Sequence, residues 1–552
     1  MVILNNIFLW AAILLCCYAV YKYYLISSGK TKSIRVPEAS DKAYLILLAA
    51  AAFIAVFIRV YKFGSVPGGF NQDGAMAAVD AKALADYGTD RYGMKWPVHL
   101  TAWGYGQMSA LLSYLMAPFI KFFGLSAVTA RMPQLLVSIA GLVCLYLFIK
   151  DVFGKFPALI VAFFAAINPW HILQSRWALD CNLYPHFFIM GVYFLNKGIN
   201  KRLYLIISMI MFGLCMYCYG ISIYTMPVFL LAACIYLLVT KRITIKNALI
   251  ALAVYLLIAW PFILTMAINY FKLDTIETPF FTIPYFPNSV RSNDILFFSD
   301  NIWEQLKANF KSLMNVTLLQ KKDLPWNDVQ NFGTMYLFSM PFVIIGIAAV
   351  IKEYRKIPGA VFVIIFLLTG IWTGLMTNSV NINRINIIYY PIMIMAVIGI
   401  YYVIRLIPYS KWGIAAAYAA AFILFVSTYF TSYADITDVN FFKDFGEAVA
   451  SLKDSDSDRL YITADSQYEG SSNVSEILTL FYQDIDAQYY QGKTDDGEIP
   501  FKQKYVFKSI KNIKVNPDEN ASYVITSKDM KYFDKSEFTF TQFGNYYTVV
   551  PK

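Results

Sequence analysis

Charged residues at the edges of the apolar segments are the features of this sequence most able to do chemistry. They are Asp73, Asp80, Lys95, Arg131, Arg176, Asp180 and Arg384. The apolar segments themselves carry almost no ionisable residues, whereas ion-coupled transporters usually place such groups at mid-membrane. Loops far apart in sequence thus bring acids and bases to one membrane face, which predicts a site at the outer boundary between water and lipid.

Each of these residues also has an interpretation without chemistry. Asp73 follows Gly-Gly-Phe-Asn-Gln just after an apolar segment, where a carboxylate would cap a new helix. Asp80 falls on the same helix face, which is equally a place for a solvated side chain. Arg176 and Asp180 would form an ion pair if their segment were helical, and Lys95 would extend its ammonium to lipid headgroups. Residue types alone leave these alternatives open.

Several other kinds of site are disfavoured by spacing. The seven cysteines lie in or beside apolar segments without metal or disulfide spacing, and we predict that they are small core side chains. His99, His171 and His186 form no ligand pattern, so we predict no metal centre at the histidines; a divalent metal at the carboxylates stays open. No Walker motif, Gly-x-Ser-x-Gly or nucleotide-binding glycine loop occurs where it would function. The sequence therefore indicates no cofactor.

Composition shows which solvent surrounds these residues. The chain has 552 residues, of which 58% are hydrophobic and 15% charged, against about 25% charged residues in soluble domains. About twelve apolar segments are long enough, or nearly long enough, to cross a bilayer. They cover residues 4–25, 43–60, 132–148, 157–170, 183–195, 203–219, 221–239, 248–268, 335–351, 359–376, 385–404 and 414–430. We interpret the first as a retained helix, because no cleavage pattern follows it.

Lys and Arg orient the chain. Among the short loops, the other alternate set holds only Arg176 and Arg384, whereas one set holds Lys30, Lys32, Arg35, Lys42, Lys150, Lys155, Lys197, Lys201, Arg202, Lys241, Arg242, Lys246, Lys352, Arg355, Lys356, Arg405 and Lys411. Positive charge stays cytoplasmic, so three longer pieces must face outside, namely residues 61–131, 269–334 and 431–552. The net charge of +10 lies largely in the cytoplasmic loops and does not indicate a nucleic-acid partner.

The outer pieces have elements of their own. The first has helical spacing at 72–87 and an apolar stretch at 104–123 that we expect to lie in the membrane interface or to dip partly into it. The tail has a helical pattern at 441–452, strand-like runs at 460–463 and 523–526, and a strand pair at 538–550. The sequence therefore predicts an α-helical polytopic membrane protein over residues 1–430, followed by a small extracytoplasmic α/β domain over residues 431–552.

Five short motifs carry a family resemblance, and they occur in the same order as in that family. They are Phe-Asn-Gln-Asp-Gly-Ala-Met (70–76), Tyr-Gly-Met-Lys-Trp-Pro (92–97), Thr-Ala-Arg-Met-Pro (129–133), Ser-Arg-Trp-Ala-Leu-Asp (175–180) and Asn-Arg-Ile-Asn-Ile-Ile-Tyr-Tyr-Pro (383–391). Over roughly residues 40–405 the chain resembles the GT-C glycosyltransferases of the protein mannosyltransferase and aminoarabinose transferase type. The helix at 4–25 precedes the usual first span of that family.

The resemblance implies an activity. Such enzymes pass a sugar, a hexose or a pentose, from a polyprenyl-phosphate donor to an acceptor outside the cytoplasm. The expected partners are that donor, the lipid bilayer and an extracytoplasmic acceptor, which would be an envelope polymer, a lipid or a protein. The alternatives are a transporter or flippase of a lipid-linked glycan, and a non-enzymatic assembly or sensor protein.

The resemblance also implies roles for single residues. The implied catalytic residues are Asp73 and Asp180, the implied donor-phosphate ligands are Lys95, Arg384 and Arg131, and the supporting residues are Arg176 and Asp80. A carboxylate can take the proton of an acceptor hydroxyl, and cations stabilise a departing phosphate. Two departures matter. Family members often have Asp-Glu where this chain has Asp73-Gly74, which weakens the case for a metal held by paired acids. The usual Lys-Pro-Pro here is Lys-Trp-Pro, which leaves the direction of Lys95 open.

Overall fold

A computed structural model describes the chain apart from residues 1, 31–39, 105, 288–294, 322, 354–356, 465–471 and 494–496. Within the described part, eight helices are long and apolar enough to cross a membrane, or nine if the bent pair Lys155–Ala166 and Pro169–Arg176 is one span. The chain is therefore a multi-pass membrane protein. Four cations used above to orient it, Lys32, Arg35, Arg355 and Lys356, lie outside the described residues.

Apart from those at residues 72–87 and 302–317, the helices before the tail follow the predicted apolar segments closely, because lipid requires continuous apolar runs whose backbone groups are paired internally. They are α1 (Val2–Ser27), α2 (Asp41–Val60), α3 (Gln72–Tyr87), α4 (Leu111–Phe123), α5 (Ala127–Phe153), α6 (Lys155–Ala166), α7 (Pro169–Arg176), α8 (Asp180–Gly198), α9 (Arg202–Cys218), α10 (Ser222–Val239), α11 (Ile245–Phe271), α12 (Ile302–Thr317), α13 (Met340–Glu353), α14 (Pro358–Met376), α15 (Tyr389–Leu406) and α16 (Ser410–Tyr429).

Two of the predicted segments differ from a simple crossing. The segment 157–170 is bent by 58° between α6 and α7, since Pro169 cannot continue a helix and disfavours helical backbone in the residue before it. The Asn168 side chain then caps α7 by accepting a hydrogen bond from the His171 N–H. Helix α8, which contains the segment 183–195, is buried over most of its length and so need not be uniformly apolar. The count of twelve spans stays a prediction.

Helix α3 has the predicted bounds and is the most enclosed element of the first outer piece. Its alanine-rich middle is buried, with α4 packed along it. The apolar stretch predicted from residue 104 begins instead as a short hairpin, β1 (His99–Thr101) paired with β2 (Gln107–Ser109). At the far end of α4, Phe122 and Phe123 are 81% and 73% exposed, as expected for rings at a lipid boundary.

The tail forms a mixed sheet with helices around it, as the strand patterns predict. A short strand pair, β3 (Ile276–Glu277) and β4 (Thr282–Ile283), lies earlier, in the piece 269–334. The elements of the tail are α17 (Ser432–Asn440), α18 (Lys443–Ala450), β5 (Arg459–Ile462), α19 (Ser472–Tyr482), α20 (Ala487–Tyr490), α21 (Phe501–Lys504), β6 (Tyr505–Phe507), β7 (Ala521–Thr526), β8 (Phe538–Phe543) and β9 (Tyr546–Pro551). The strand order is β6-β5-β7-β9-β8. Strands β6, β5 and β7 are parallel, whereas β9 and β8 are antiparallel to their neighbours.

The three pieces predicted to lie outside meet on one face of the molecule. The Phe70 N–H donates to the Phe441 carbonyl at 2.7 Å, which joins the first piece to the tail. The Val98 N–H donates to the Thr282 carbonyl at 2.9 Å, which joins the first piece to the second. Their common face is therefore a property of the fold, and which side of the membrane it occupies stays a prediction.

Candidate active site

Asp73 lies in the first turn of α3 but does not cap it. The cap is Asn71, whose side chain accepts a hydrogen bond from the Gly74 N–H at 3.2 Å. The Asp73 carboxylate is half-buried and accepts a hydrogen bond from the indole N–H of Trp103 at 2.6 Å. The capping interpretation of Asp73 is therefore wrong, and the carboxylate is held in place by a ring from the loop between β1 and β2.

Asp180 begins α8 and comes close to the start of α3. Its carboxylate accepts a hydrogen bond from the Cys181 N–H at 2.7 Å. Asp73 and Asp180 are both near enough to the Cys181 sulfur to act on it electrostatically. A Cβ added to Gly74 would meet the Ala178 carbonyl at 2.8 Å, so a side chain there would separate α3 from this turn. The structure thus brings the two predicted catalytic carboxylates together.

A buried amide network fixes the Asp180 turn against the segment after Arg384. The Asn386 amide N–H groups donate to the Gln174 and Asn182 side chains, both at 3.2 Å, and to the Cys181 carbonyl at 3.3 Å. The Asn386 side-chain oxygen accepts a hydrogen bond from the Trp170 indole at 2.8 Å. Sequence reasoning missed this network, although Asn386 lies within one of the motifs and Gln174 and Asn182 flank another.

Arg384 is half-buried in the loop between α14 and α15. Its backbone N–H donates to the Asn381 side chain at 3.1 Å, and its guanidinium donates to the Asn378 carbonyl at 2.6 Å. Because Asn386 lies two residues further on, the amide network also fixes the position of Arg384 relative to Asp180.

Lys95 borders an apolar groove. Its side chain is exposed, and its backbone pairs with Thr89. The next residue, Trp96, lines a groove of about 360 Å³ whose other walls come from α4, α9, α11 and the turn between β3 and β4. Among them are the rings of Tyr114, Tyr217 and Phe281. An apolar groove beside an accessible ammonium matches a ligand with an apolar chain and an anionic head.

Arg131 has a different environment from the one predicted. It is buried, and its guanidinium donates to the carbonyls of Gly64, Pro67 and Gly69 at 3.0, 2.8 and 2.6 Å. It also stacks over the Phe70 ring at 5.0 Å. Three of its four Nη N–H groups are taken by these carbonyls, so the structure gives Arg131 a bracing role, and its binding of donor phosphate stays a prediction.

Arg176 is a second brace and does not pair with Asp180. It ends α7 and is fully buried. Its guanidinium donates to the hydroxyl of Tyr429 and to backbone carbonyls of residues 58, 59, 61, 62 and 66. The predicted ion pair is therefore wrong, because the helix breaks between the two residues. Residues 58–70, held by Arg131 and Arg176, are called the clamped segment below.

Asp80 is likewise a structural residue and is not solvated. It is fully buried and accepts hydrogen bonds from the Arg91 guanidinium at 2.6 Å and from the Arg91 N–H at 3.0 Å. Arg91 in turn donates to the Thr101 carbonyl at 2.8 Å. The prediction of a solvated face is wrong, and Asp80 supports the site by joining α3 to the loop that carries Lys95 and to β1.

Asp90 lies in that same loop and was not singled out from the sequence. Its carboxylate accepts hydrogen bonds from the N–H groups of Tyr92 and Met94 at 3.0 and 2.9 Å. Burial, and then the nearby Asp80 carboxylate, raise its pKa to about 7. The loop of Lys95 is thus braced by a group that titrates near neutral pH.

No group of three or more His, Cys, Asp or Glu side chains in the described residues is arranged to hold a metal ion. His171 and His186 both contact the Tyr390 hydroxyl, at 3.0 and 2.8 Å. His99 packs against Phe262. The histidines therefore belong to packing and internal hydrogen bonds, and metal dependence at the carboxylates stays open.

Comparison with known proteins identifies the fold. The structure is similar to ArnT from Cupriavidus metallidurans in the apo state, with a TM-score of 0.53 and 11% identity, over 93% of this chain and 98% of that chain. The same protein bound to undecaprenyl phosphate gives a TM-score of 0.52 and 11% identity, over 92% and 98%. Residues 108–266 match the family model of dolichyl-phosphate-mannose-protein mannosyltransferases. No curated protein sequence matches the chain. The chain has the GT-C glycosyltransferase fold, and the resemblance seen in the motifs is confirmed.

Proposed function

We propose that the chain is a membrane glycosyltransferase that moves a sugar from a polyprenyl-phosphate donor to an acceptor outside the cytoplasm. One observation carries the proposal. Asp73 and Asp180 converge on one face, and on that face Lys95 borders an apolar groove. The GT-C fold and the partial match to the mannosyltransferase family model support the class of reaction.

The donor is the part of the proposal with most physical support. Its polyprenyl chain would lie in the groove beside Trp96, with its phosphate at the polar edge near Lys95 and Arg384. Guanidinium and ammonium groups in a partly desolvated site stabilise phosphate strongly. The similar ArnT structure contains undecaprenyl phosphate, which supports a ligand of this class.

The proposed reaction is a displacement at the anomeric carbon. Asp73 takes the proton of the acceptor hydroxyl while the acceptor oxygen bonds to that carbon. The bond from the carbon to the phosphate oxygen breaks, and polyprenyl phosphate leaves with the bonding electron pair. Trp103 orients Asp73 through its N–H, and Asp180 is the neighbouring carboxylate that positions the acceptor or serves as an alternative base. The sugar is a hexose or a pentose.

Transfer by purified protein tests this function. Full-length protein in liposomes is given synthetic polyprenyl-phosphate hexoses and pentoses, with an envelope extract from cells lacking the protein as acceptor. We expect release of polyprenyl phosphate together with new glycan mass in the extract. A lipid-linked glycan transporter would instead move the donor across the liposome without releasing polyprenyl phosphate, and that result would refute the proposal.

The orientation needs its own test. We propose that the face carrying the tail is extracytoplasmic and that the loop after α1 is cytoplasmic. An impermeant maleimide applied to intact cells should label Ser536→Cys, which is exposed in the tail, and should not label Ser28→Cys, which is exposed at the end of α1. The reverse labelling pattern would place the site on the cytoplasmic side.

A further inference from the structure

Helix α12 and the residues just before it carry several exposed aromatic side chains. Phe297, Phe298, Trp303 and Phe310 are each more than half exposed, and Trp303 is the most exposed of them at 73%. Large rings exposed this close together usually mark a surface that binds a protein or a membrane. Residues 295–317 are therefore a candidate binding surface, separate from the groove beside Lys95.

The residue order of α12 gives the helix three different faces. At about 100° per residue, Phe310 lies within about 20° of Trp303 around the helix axis. The buried Asn309 and Leu313 lie about 80–120° to one side of Trp303, and the exposed Ala308 lies about 140° to the other side. One face is thus turned to the protein, the next carries the rings, and the third is small and polar.

The buried face fixes α12 to the end of a membrane helix. The Asn309 side chain donates to the Leu375 carbonyl at 2.9 Å and to the Asn378 side chain at 3.1 Å. A Cβ added to Gly374 would meet the Leu313 side chain at 2.6 Å, so the two helices pack closely there. Helix α14 is long and apolar enough to be a span, and it ends one residue after Leu375. The middle of α12 therefore lies at the level where a span ends.

The charges of residues 295–317 cancel. Lys307 and Lys311 are offset by Asp300 and Glu304. The two lysines lie about 40–80° from Trp303, between the ring-bearing face and the polar face, where a long side chain can extend its ammonium to a lipid phosphate. Attraction of this surface to a lipid leaflet would thus come from apolar burial and not from net charge.

The same contacts join this surface to the candidate active site. The Asn378 side chain donates to the Ser299 hydroxyl at 3.0 Å, and the Asn378 carbonyl accepts a hydrogen bond from the Arg384 guanidinium at 2.6 Å. Ile295 also pairs with Thr377. Residues 295–317 are therefore bonded to the loop that carries Arg384.

We infer that α12 is an interfacial helix and that its partner is the phospholipid leaflet at the end of α14. The rings of Trp303 and Phe310 lie among the upper acyl chains, the two lysines reach phosphate groups, and Ala308 faces water. The partner is lipid rather than protein because the helix is fixed to a span end, where aromatic rings lie at the boundary of lipid and water. This binding does not depend on the proposed sugar transfer.

Photo-crosslinking of the full-length protein in liposomes tests this inference. The photoreactive residue p-benzoylphenylalanine replaces Trp303, Phe310 or Ala308, all of which are exposed. The liposomes contain equal amounts of phosphatidylcholine and phosphatidylglycerol, and mass spectrometry measures the fraction of protein bonded to each lipid. We expect at least about tenfold more lipid adduct at positions 303 and 310 than at position 308. The two lipids should react within about twofold of each other, because the segment has no net charge.

The position of the adducts decides the outcome. Equal adduct at all three positions would overturn the inference, since that is what mere exposure near a bilayer would give. Adduct at only one of positions 303 and 310 would show that α12 stands away from the leaflet, and crosslinked protein dimers in place of lipid adducts would show that a second copy covers the surface. A strong preference for phosphatidylglycerol would overturn the argument from apolar burial. Asp73→Asn should leave the adducts unchanged, so loss of sugar transfer and loss of lipid contact are distinguished.

Discussion

The clamped segment and the loops that carry Lys95 and Arg384 both depend on cations from the family-like motifs, yet they use them in opposite ways. Around the clamped segment, Arg131 and Arg176 are buried and their N–H groups are taken by backbone carbonyls. In the two loops, here called the outer cationic loops (residues 88–98 and 378–386), the Lys95 side chain is exposed and the Arg384 side chain is half-buried.

The difference shows that a sequence motif indicates where a cation lies but does not indicate its role. Both regions have a basic residue within a family-like motif, but only the burial of that residue distinguishes a structural role from a ligand-binding one. A guanidinium with its donors saturated by carbonyls holds backbone in place. A cation beside an apolar groove is placed for an anionic ligand. The following variants test that division.

The largest effect is expected at Asp73. Asp73→Asn keeps an acceptor for the Trp103 N–H and leaves the Asn71 cap intact, so the protein should fold normally. The amide cannot take a proton, and sugar transfer should fall about 10²–10⁴-fold, the usual contribution of a general base. Transfer rate and unfolding temperature are measured together, with Asn71→Ser as a control that keeps a capping side chain. Asp180→Asn is assayed beside it. Near-normal sugar transfer by Asp73→Asn would show that Asp73 is not the general base.

The next effect concerns the brace. Arg176→Lys keeps the charge but loses the planar guanidinium and most of its N–H donors. Several buried carbonyls are then left without a donor, and each costs about 1–3 kcal/mol of stability. We expect the free energy of unfolding to fall by at least about 3 kcal/mol, measured as a lower unfolding temperature in detergent. Arg405→Lys, at an exposed position, is the matched control. Equal unfolding temperatures for the two variants would show that Arg176 is not a brace.

A third effect tests how the outer cationic loop of Lys95 is held. Asp90 has a pKa of about 7 in the folded protein, against 3.8 ordinarily, so between these values the folded state holds a proton that the unfolded state has lost. The stabilisation that comes from the raised pKa of Asp90 is therefore complete below about pH 4 and is lost as the pH rises to about 7. Over that range the free energy of unfolding falls by up to about 1.4 kcal/mol per pH unit.

The variant Asp90→Asn isolates that contribution. The amide oxygen still accepts the N–H groups of Tyr92 and Met94, but it does not titrate. Unfolding temperatures from pH 5 to 8 should fall less steeply for the variant than for the wild type. Parallel curves would show that Asp90 does not titrate in this range.

The smallest effect is expected at the two ligand cations. Lys95→Gln and Arg384→Gln should each raise the KM for the polyprenyl-phosphate donor about tenfold, equivalent to about 1.4 kcal/mol for a charge-assisted contact at an accessible site. Their unfolding temperatures should match that of Lys411→Gln, an exposed control in the first turn of α16. If both variants use the donor normally, the phosphate lies elsewhere.

The sequence predicts the membrane helices well because lipid acts on each helix separately. A run of apolar residues is a local property, and so is the helical spacing that gave α3 its correct bounds. The bend between α6 and α7 was also readable in principle, since Asn168 and Pro169 are a capping residue followed by a helix-starting proline. The hairpin β1–β2 was not predicted, because its pairing depends on a turn without a strong signal.

The candidate site was predicted only in part, for a different physical reason. The charge pattern places Asp73 and Asp180 on one face of the molecule, but their surroundings depend on contacts between distant segments. Asn386 reaches Gln174 across 212 positions, and no local spacing indicates such a pair. The capping role of Asn71, in contrast, was visible as an asparagine just before the helix, and only the neighbouring carboxylate drew attention away from it.

The bond between the clamped segment and the tail sets an order of events during biosynthesis. The Gly68 N–H donates to the Asp438 carboxylate at 3.1 Å across 370 positions. The segment next to Asp73 is therefore synthesised early, but its contact with the tail forms only after synthesis has passed residue 438. Until the ribosome has produced the residues after α16 and they have reached the same face, the N-terminal half waits without its final contact.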